Sequence, residues 1–340
     1  MKKVIALSII LVLCSAAVFA SGLGQQGIGT TERHAMIAKS TGNPYMERMF
    51  AGFQDAIREQ GAESIIRAPD LPTAEGQIQI IEQLIAQRVS SIGIAANDFD
   101  ALQPALTRAM SQGISVYSLD SAVNPRSRNT HINQADTQAI GRTLVEAAFD
   151  LAGGSGEIAI LSATSQASNQ NAWIAVMQEV LREPQYAGLN LVRIAYGDDL
   201  RDKSTTETQA LLASFPNLKV IIAPTTVGIA AAAKVVSDQG LIGRVLVTGL
   251  GLPSEMAEYI ENGSCPYMYL WNPIDLGYLG GYVATALTNR SITGAVGNSL
   301  TGGRLGQFNV TLDADGGTEI LLGPPFKFDI SNIEVWKTVY

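Results

Sequence analysis

The 340-residue chain contains two cysteines, two histidines, 6% aromatic residues and 16% charged residues. Two cysteines cannot build a disulfide framework, and two histidines leave few ligands for a metal centre. Basic residues are the scarcer sign: 23 Lys and Arg against 31 Asp and Glu give a net charge of -8. That balance argues against a nucleic-acid or anionic-membrane surface. Catalytic signatures are missing too. There is no Gly-x-Ser-x-Gly elbow, and His34 and His131 fall inside predicted strands, where a triad base would be unusual. No Gly-x-x-x-x-Gly-Lys-Ser/Thr loop offers a phosphate cradle. Gly153-Gly154-Ser155-Gly156 precedes a predicted strand rather than following one, which makes it a linker. Asp313-Ala314-Asp315-Gly316 opens like a calcium loop, but the acidic ligand required further on is misplaced, and a hairpin turn explains it better. No enzymatic activity, metal or cofactor is therefore expected.

Long apolar runs are also lacking. The longest, Val4 to Val18, is shorter than the ~20 residues a membrane-spanning helix needs. It follows Lys2 and Lys3 and ends at Val18-Phe19-Ala20 before Ser21, the pattern of a signal peptide (1–20) cleaved after Ala20. Leu11-Val12-Leu13-Cys14 offers an alternative lipoprotein site, against which the bulky Leu13 argues. Cleavage after Ala20 leaves Cys265 as the one cysteine, and residues 21–30, rich in Gly and Gln, read as a flexible leader. A periplasmic protein follows from this.

What the chain has in quantity is aliphatic: 46% of residues are hydrophobic, enough to bury the cores of about two domains at this length. Short apolar runs alternate with segments of helical spacing, the mark of βαβ units and mostly parallel sheets. Predicted strands are His34–Lys39, Ser64–Arg67, Ser91–Ala95 and Ile114–Leu119, with a short one at His131-Ile132. Helices are predicted at Tyr45–Gln60, Thr73–Arg88, Asp100–Gln112 and Thr137–Leu151. In the second helix Thr73 can cap, and Ile78, Ile81, Leu84 and Ile85 share one face. A second series places strands at Glu157–Leu161, Leu191–Tyr196, Val220–Ala223, Val245–Thr248 and Tyr267–Leu270. Helices Asn169–Leu181, Asp202–Ser214 and Gly228–Gln239 lie between them. The tail beyond Gly294 reads as cross-connections plus an edge hairpin, with strand-like pieces at Phe308–Leu312 and Ile320–Leu322. With the break at Asn124-Pro125, the expected architecture is α/β, in two Rossmann-like lobes. Residues 31–124 plus 273–298 form the N-terminal lobe, and 125–272 plus 299–340 the C-terminal lobe.

In open parallel sheets ligands sit beyond the carboxyl ends of the strands. Polar residues there are Lys39-Ser40, Asn97-Asp98, Asp120-Ser121, Asn169-Gln170, Thr225-Thr226 and Trp271-Asn272. One cation, one or two carboxylates and several amides and hydroxyls suit a polyhydroxylated small molecule. Tyr45 and Trp271 could supply apolar faces for sugar C–H groups. Ser40, Asn97, Asn169 and Thr225 have an alternative as helix caps, and Trp271 as plain core. Asp120 ends a strand with no helix directly behind it. Asp198-Asp199 reads as an acid pair at a helix N-terminus, with contact to a ligand the alternative.

Several long segments carry a family resemblance: IAANDFDALQPAL (94–106), ILSATSQASNQNAW (160–173), YGDDLRDKS (196–204), IIAPTTVGIAAAAK (221–234), VTGLGLPSEM (247–256), LWNPIDLGY (270–278) and GRLG (303–306). Along nearly all of the chain after residue 20 it resembles periplasmic sugar-binding proteins of the ribose-binding type that serve ABC importers. Within them it is most similar to L-rhamnose-binding proteins, with autoinducer-2 binders as cousins. The resemblance implies a type I periplasmic binding protein whose lobes, joined by a three-strand hinge, close on ligand. It implies ligand contacts from Lys39 and Asp120, from Asn169 and Gln170, and from Pro224 and Thr226. Asn169 stands where the autoinducer-2 binders have an acid and Thr226 where they have Ala, and Asn43-Pro44-Tyr45 departs from a Gly-aromatic pattern. The implied function is capture of a monosaccharide, L-rhamnose first, by a monomer that delivers it to a membrane permease; autoinducer-2 or ribose is the alternative cargo. A LacI-type regulator would need an N-terminal helix-turn-helix and a basic stripe. A sugar-modifying enzyme would need a poised acid/base pair or a cofactor site.

Overall fold

The computed structural model describes residues 31–340; the expected signal peptide and leader lie outside the described residues. The chain begins as a βαβ series: β1 (Arg33–Ile37), α1 (Pro44–Glu59), β2 (Glu63–Arg67), α2 (Ala74–Ala86), β3 (Ser91–Ile94), α3 (Gln103–Ser111) and β4 (Ser115–Leu119). A 3₁₀ turn at Pro125–Ser127 leads to β5 (Thr130–Asn133). Local chemistry sets these elements. Asn43 caps α1, accepting from the amides of Tyr45 and Met46, with Pro44 in the first turn where its missing N–H is harmless. Thr73 caps α2 as its sequence suggests. The buried face of that helix uses Ile80, Ile81, Leu84 and Ile85, and Ile78 is left half-buried. β3 is buried at every position, as expected of a strand covered on both faces.

The second series is α4 (Thr137–Leu151), β6 (Gly156–Ser162), α5 (Ser168–Val180), β7 (Leu189–Tyr196), α6 (Arg201–Ser214), β8 (Leu218–Ala223), α7 (Thr226–Asp238), β9 (Leu246–Gly249), α8 (Pro253–Glu261) and β10 (Tyr267–Leu270). Its parallel sheet has the order β7-β6-β8-β9, extended by a bridge between Leu250 and Tyr269. The chain then returns to the first lobe as α9 (Pro273–Thr288), which packs on α1 and against β3 and β4. The hairpin β11 (Ser299–Thr301) and β12 (Gln307–Asn309) follows, then β13 (Thr311–Leu312) and β14 (Thr318–Leu321). Last come β15 (Phe326–Asp329), antiparallel to β10, and α10 (Ile333–Trp336).

The sheet pairing differs from the expected lobe boundaries at two places. The first sheet has the order β13-β14-β5-β4-β3-β1-β2, so strands at 130–133, 311–312 and 318–321 belong with the first lobe rather than the second. The Asn124-Pro125 signal marks a tight turn within the lobe. Asn124 accepts from the amide of Arg126, and the turn feeds β5 into register with β4, Ser118 opposite His131. Glu319–Leu321 then pairs in parallel with His131–Asn133. The chain consequently crosses between lobes three times, at 134–136, 271–272 and 322–325. The edge hairpin β13–β14 turns through Asp313–Gly317, and Arg128 donates to Asp313 at 2.9 Å and to Asp315 at 2.8 Å.

Candidate functional site

A cavity lies between the lobes, with about 340 Å³ of empty space when its open mouth is counted. The first lobe contributes Lys39, Asn43, Tyr45, Met46 and Asp120. Asn169, Gln170, Trp173, Asp199, Pro224, Thr225, Thr226, Leu250 and Leu270 come from the second, and Trp271 from the middle crossing. Most of these follow the carboxyl end of a strand, where loops of a parallel sheet converge.

Asp120 is the hub. It stands one residue beyond β4 with φ of 63°, a left-handed conformation that Asp tolerates better than most residues. Lys39 Nζ lies 3.2 Å from its Oδ2, and both side chains are almost fully buried. A buried pair of this kind needs additional hydrogen bonds to offset desolvation. Ser121 donates to Oδ2 at 3.1 Å and Asn169, from the opposite lobe, at 3.4 Å. Oδ1 accepts one protein bond, from the Tyr45 hydroxyl at 3.1 Å, so a carboxylate with about four acceptor positions keeps room for a hydroxyl of a ligand.

Behind Asp120 runs a directed chain. The Trp271 indole N–H donates to the Tyr45 oxygen at 2.6 Å, and Tyr45 in turn donates to Asp120. The two rings meet edge to face at 6.3 Å. Burial, with Asp120 beside it, pushes the Tyr45 phenol well above its usual range, so it stays a donor. Tyr45 and Trp271 thus line the cavity, but their polar ends orient Asp120, a use beyond the apolar faces anticipated from sequence.

On the second lobe, Asn169 accepts from Lys39 at 3.5 Å and from the Gln170 amide at 2.8 Å, while its own amide reaches Asp120. It therefore spans the cleft instead of capping α5, whose N-cap position is Ala167. Gln170 uses its carbonyl oxygen on Ser162 Oγ at 2.8 Å and the Ala163 amide at 2.7 Å. Its amide nitrogen makes no hydrogen bond among the described residues and remains a donor. Pro224 and Thr226 line the wall between β8 and α7. Thr225 makes no side-chain cap for α7; its hydroxyl donates to Asp199.

Two expected site residues stand elsewhere. Asn97 donates to the Lys39 carbonyl at 2.8 Å and to the Thr73 carbonyl at 3.3 Å, and its backbone amide reaches Gln77 at 2.9 Å. Its side chain is consumed in tying the loops after β1 and β3 to α2, so it supports Lys39 without reaching the cavity. Asn272 caps α9, accepting from the amides of Ile274 and Asp275, and this turns it away from the cleft. Conversely, Asn43, Met46, Trp173, Leu250 and Leu270 line the cavity without having been singled out as binding residues, and Asp199, read first as a helix N-terminal acid with ligand contact as the alternative, lines it too. A cap immediately before Pro44 was a usable signal for Asn43. Nothing local told Trp173 or Leu250 apart from ordinary core.

Two α/β lobes with one cation, two carboxylates, free amide donors and an apolar wall around a buried cavity define a binding protein for a small hydroxylated solute. The chain belongs to the periplasmic binding protein domain family, whose model matches residues 34–291. A solute-binding protein of an ABC transporter from Clostridium phytofermentas, solved with bound L-rhamnose, is 52% identical over 92% of this chain and 99% of its own, with a TM-score of 0.90. The D-allose-binding periplasmic protein of Escherichia coli (strain K12) is 25% identical over 256 residues, 73% of this chain and 81% of the relative. LsrB from Clostridium saccharobutylicum, in complex with AI-2, shares the fold at 20% identity and a TM-score of 0.84, over 89% of this chain and 98% of its own. The fold is that of a type I periplasmic binding protein, and the relatives are sugar-binding transport proteins rather than enzymes.

Proposed function

We propose that the protein captures L-rhamnose in the interlobe cavity and delivers it to a membrane permease. The observation that carries this reading is the mixed lining of the cavity. Polar groups of Lys39, Asp120, Asn169, Gln170 and Thr226 line it together with apolar side chains of Met46, Trp173, Leu250, Leu270 and Trp271. A 6-deoxy sugar carries the same mixture, with vicinal hydroxyls on the ring and a methyl group in place of a hydroxymethyl. A fully hydroxylated hexose would bury one more hydroxyl against apolar carbon, at a cost of about 1–3 kcal/mol. The Clostridium phytofermentas relative with bound L-rhamnose supports the same ligand.

In this reading Asp120 accepts from ring hydroxyls, Lys39, Asn169 and Gln170 donate, the Pro224 backbone and Thr226 shape the second-lobe wall, and Tyr45 and Trp271 hold Asp120 in place. Because sugar bridges both lobes it stabilises their closed arrangement, which a permease can distinguish from the open one. The protein acts as a monomer in the periplasm after cleavage at Ala20. Among the described residues no helix is long and apolar enough to cross a membrane.

Isothermal titration of residues 21–340 against L-rhamnose, ribose, D-allose and autoinducer-2 tests the ligand. Micromolar or tighter binding of L-rhamnose in preference to the others is expected. Asp120→Ala should weaken it by tenfold to about a hundredfold, the loss of a hydrogen bond to a charged group. Preferential binding of autoinducer-2 would show that an acid at position 169 is dispensable for that ligand, and would overturn L-rhamnose as the cargo.

A further inference from the structure

Among the described residues, Asp199 is the one carboxylate that the second lobe brings to the cavity. It stands in the loop after β7, preceded by Asp198, and both residues are left-handed, with φ of 53° and 55°. Two successive non-glycine residues in that region persist only where their surroundings enforce them, and such positions cluster at ligand-binding loops. Here the enforcement is visible. The Asp198 amide donates to the Ala163 carbonyl at 3.1 Å and the Leu200 amide to the Gly197 carbonyl at 2.9 Å, and the Asp198 carboxylate pairs with Lys203. The result sends the two acids in opposite directions. Asp198 turns to the first turn of α6, and Asp199 turns into the cavity.

Neither acid caps α6, whose N-cap position is Leu200 with no side-chain bond. The side-chain hydrogen bond of Asp199 is with Thr225, which itself lines the cavity. We infer that Asp199 is a ligand-reading residue of the second lobe: its carboxylate accepts from one hydroxyl of the sugar, across the cavity from Asp120, and Thr225 holds it in that orientation. Burial raises the Asp199 carboxyl above its usual value, with Lys39 opposing that shift, which sets it in the same field as the Lys39–Asp120 pair. An ionised carboxylate only accepts, whereas Gln170, which also lines the cavity, presents a free donor. The two groups would therefore discriminate between hydroxyls by their donor and acceptor roles.

The inference rests on the sugar reading above, and one experiment separates the two. Wild type, Asp199→Asn and Thr225→Val are titrated with L-rhamnose and with its monodeoxy analogues, and each variant is melted without ligand. Asp199→Asn should bind L-rhamnose tenfold to about a hundredfold more weakly. For one deoxy analogue the penalty seen in wild type should vanish in Asp199→Asn, because the partner of the missing hydroxyl is already gone. Thr225→Val should show a weaker form of the same coupling, and it carries the test if Asp199→Asn fails to fold. Undiminished affinity in the variant, or a loss of the same size for every analogue, would overturn the role of Asp199 and leave the sugar reading intact. Wild type that bound none of these sugars would overturn the sugar reading, and the role of Asp199 with it.

Discussion

Asp120, Tyr45 and Trp271 illustrate how buried polar residues specify a site. Each has its hydrogen-bonding capacity directed by the next, from indole to phenol to carboxylate, and such networks hold one geometry because any member left unpaired is penalised. His131 makes the opposite point. It is buried in β5 with Nδ1 2.9 Å from Ser118 Oγ, and desolvation, with Arg128 nearby, lowers its pKa from 6.5 to about 3. Between those values the unfolded chain binds a proton that the folded chain refuses, so stability falls as the pH drops through that window. The slope for one such group is about 1.4 kcal/mol per pH unit. Denaturant unfolding at pH 7 and pH 5 should therefore show a drop about 2 kcal/mol smaller in His131→Gln than in wild type. Identical drops would mean that His131 is already accessible to protons in the native state.

Among the elements, the pairing of α1 with α9 anchors the first lobe, because α9 arrives after the whole second lobe has been traversed. The helices approach closely enough that glycine is required on both. A Cβ at Gly52 would stand 1.9 Å from the Ile274 carbonyl oxygen, and one at Gly277 would stand 1.8 Å from that of Met49. Both obstacles are backbone, so no rotamer change relieves them. Gly277→Ala should push the helices apart and destabilise the protein by about 1–3 kcal/mol or more, the usual size of overpacking. A thermal melt reads this directly, and an unchanged midpoint would mean that the two helices can slide without loss. α9 starts two residues after Trp271, with its cap Asn272 between, so the same helix that closes the lobe also fixes the crossing that carries the cavity wall.

At the scale of the whole molecule, three crossings join the lobes and bonds across the cleft hold them together. Asn169 reaches Lys39 and Asp120, and Ser168 Oγ donates to the Ala122 carbonyl at 3.1 Å. In the proposed function, sugar that bridges both lobes adds to these bonds and favours the closed arrangement. Small-angle scattering should show a smaller radius of gyration with saturating sugar than without. Ligand at a hundred times its Kd should add about 2.7 kcal/mol to unfolding. Stabilisation with no change in radius would place the free protein in the closed state already.

Much of this organisation was legible from local pattern. The alternation of short apolar runs with helical spacing marked two βαβ series, because strand and helix periodicities are properties of ten or so neighbouring residues. The rule that ligands sit at strand ends then brought Lys39, Asp120, Asn169, Gln170 and Thr226 to notice before any geometry. Tertiary structure alone decided which sheet 130–133 and 311–321 would join, since edge pairing depends on partners nearly two hundred residues apart. It also decided where short polar side chains point. Asn97, Asn272 and Asp199 are equally polar and equally placed near strand ends. One was claimed by a loop, one by a helix terminus, and the third turned into the cavity by two left-handed residues held in place by bonds from β6 and its own loop. A chain's local propensities set its elements, but the direction of a side chain in a loop is set by what packs against that loop.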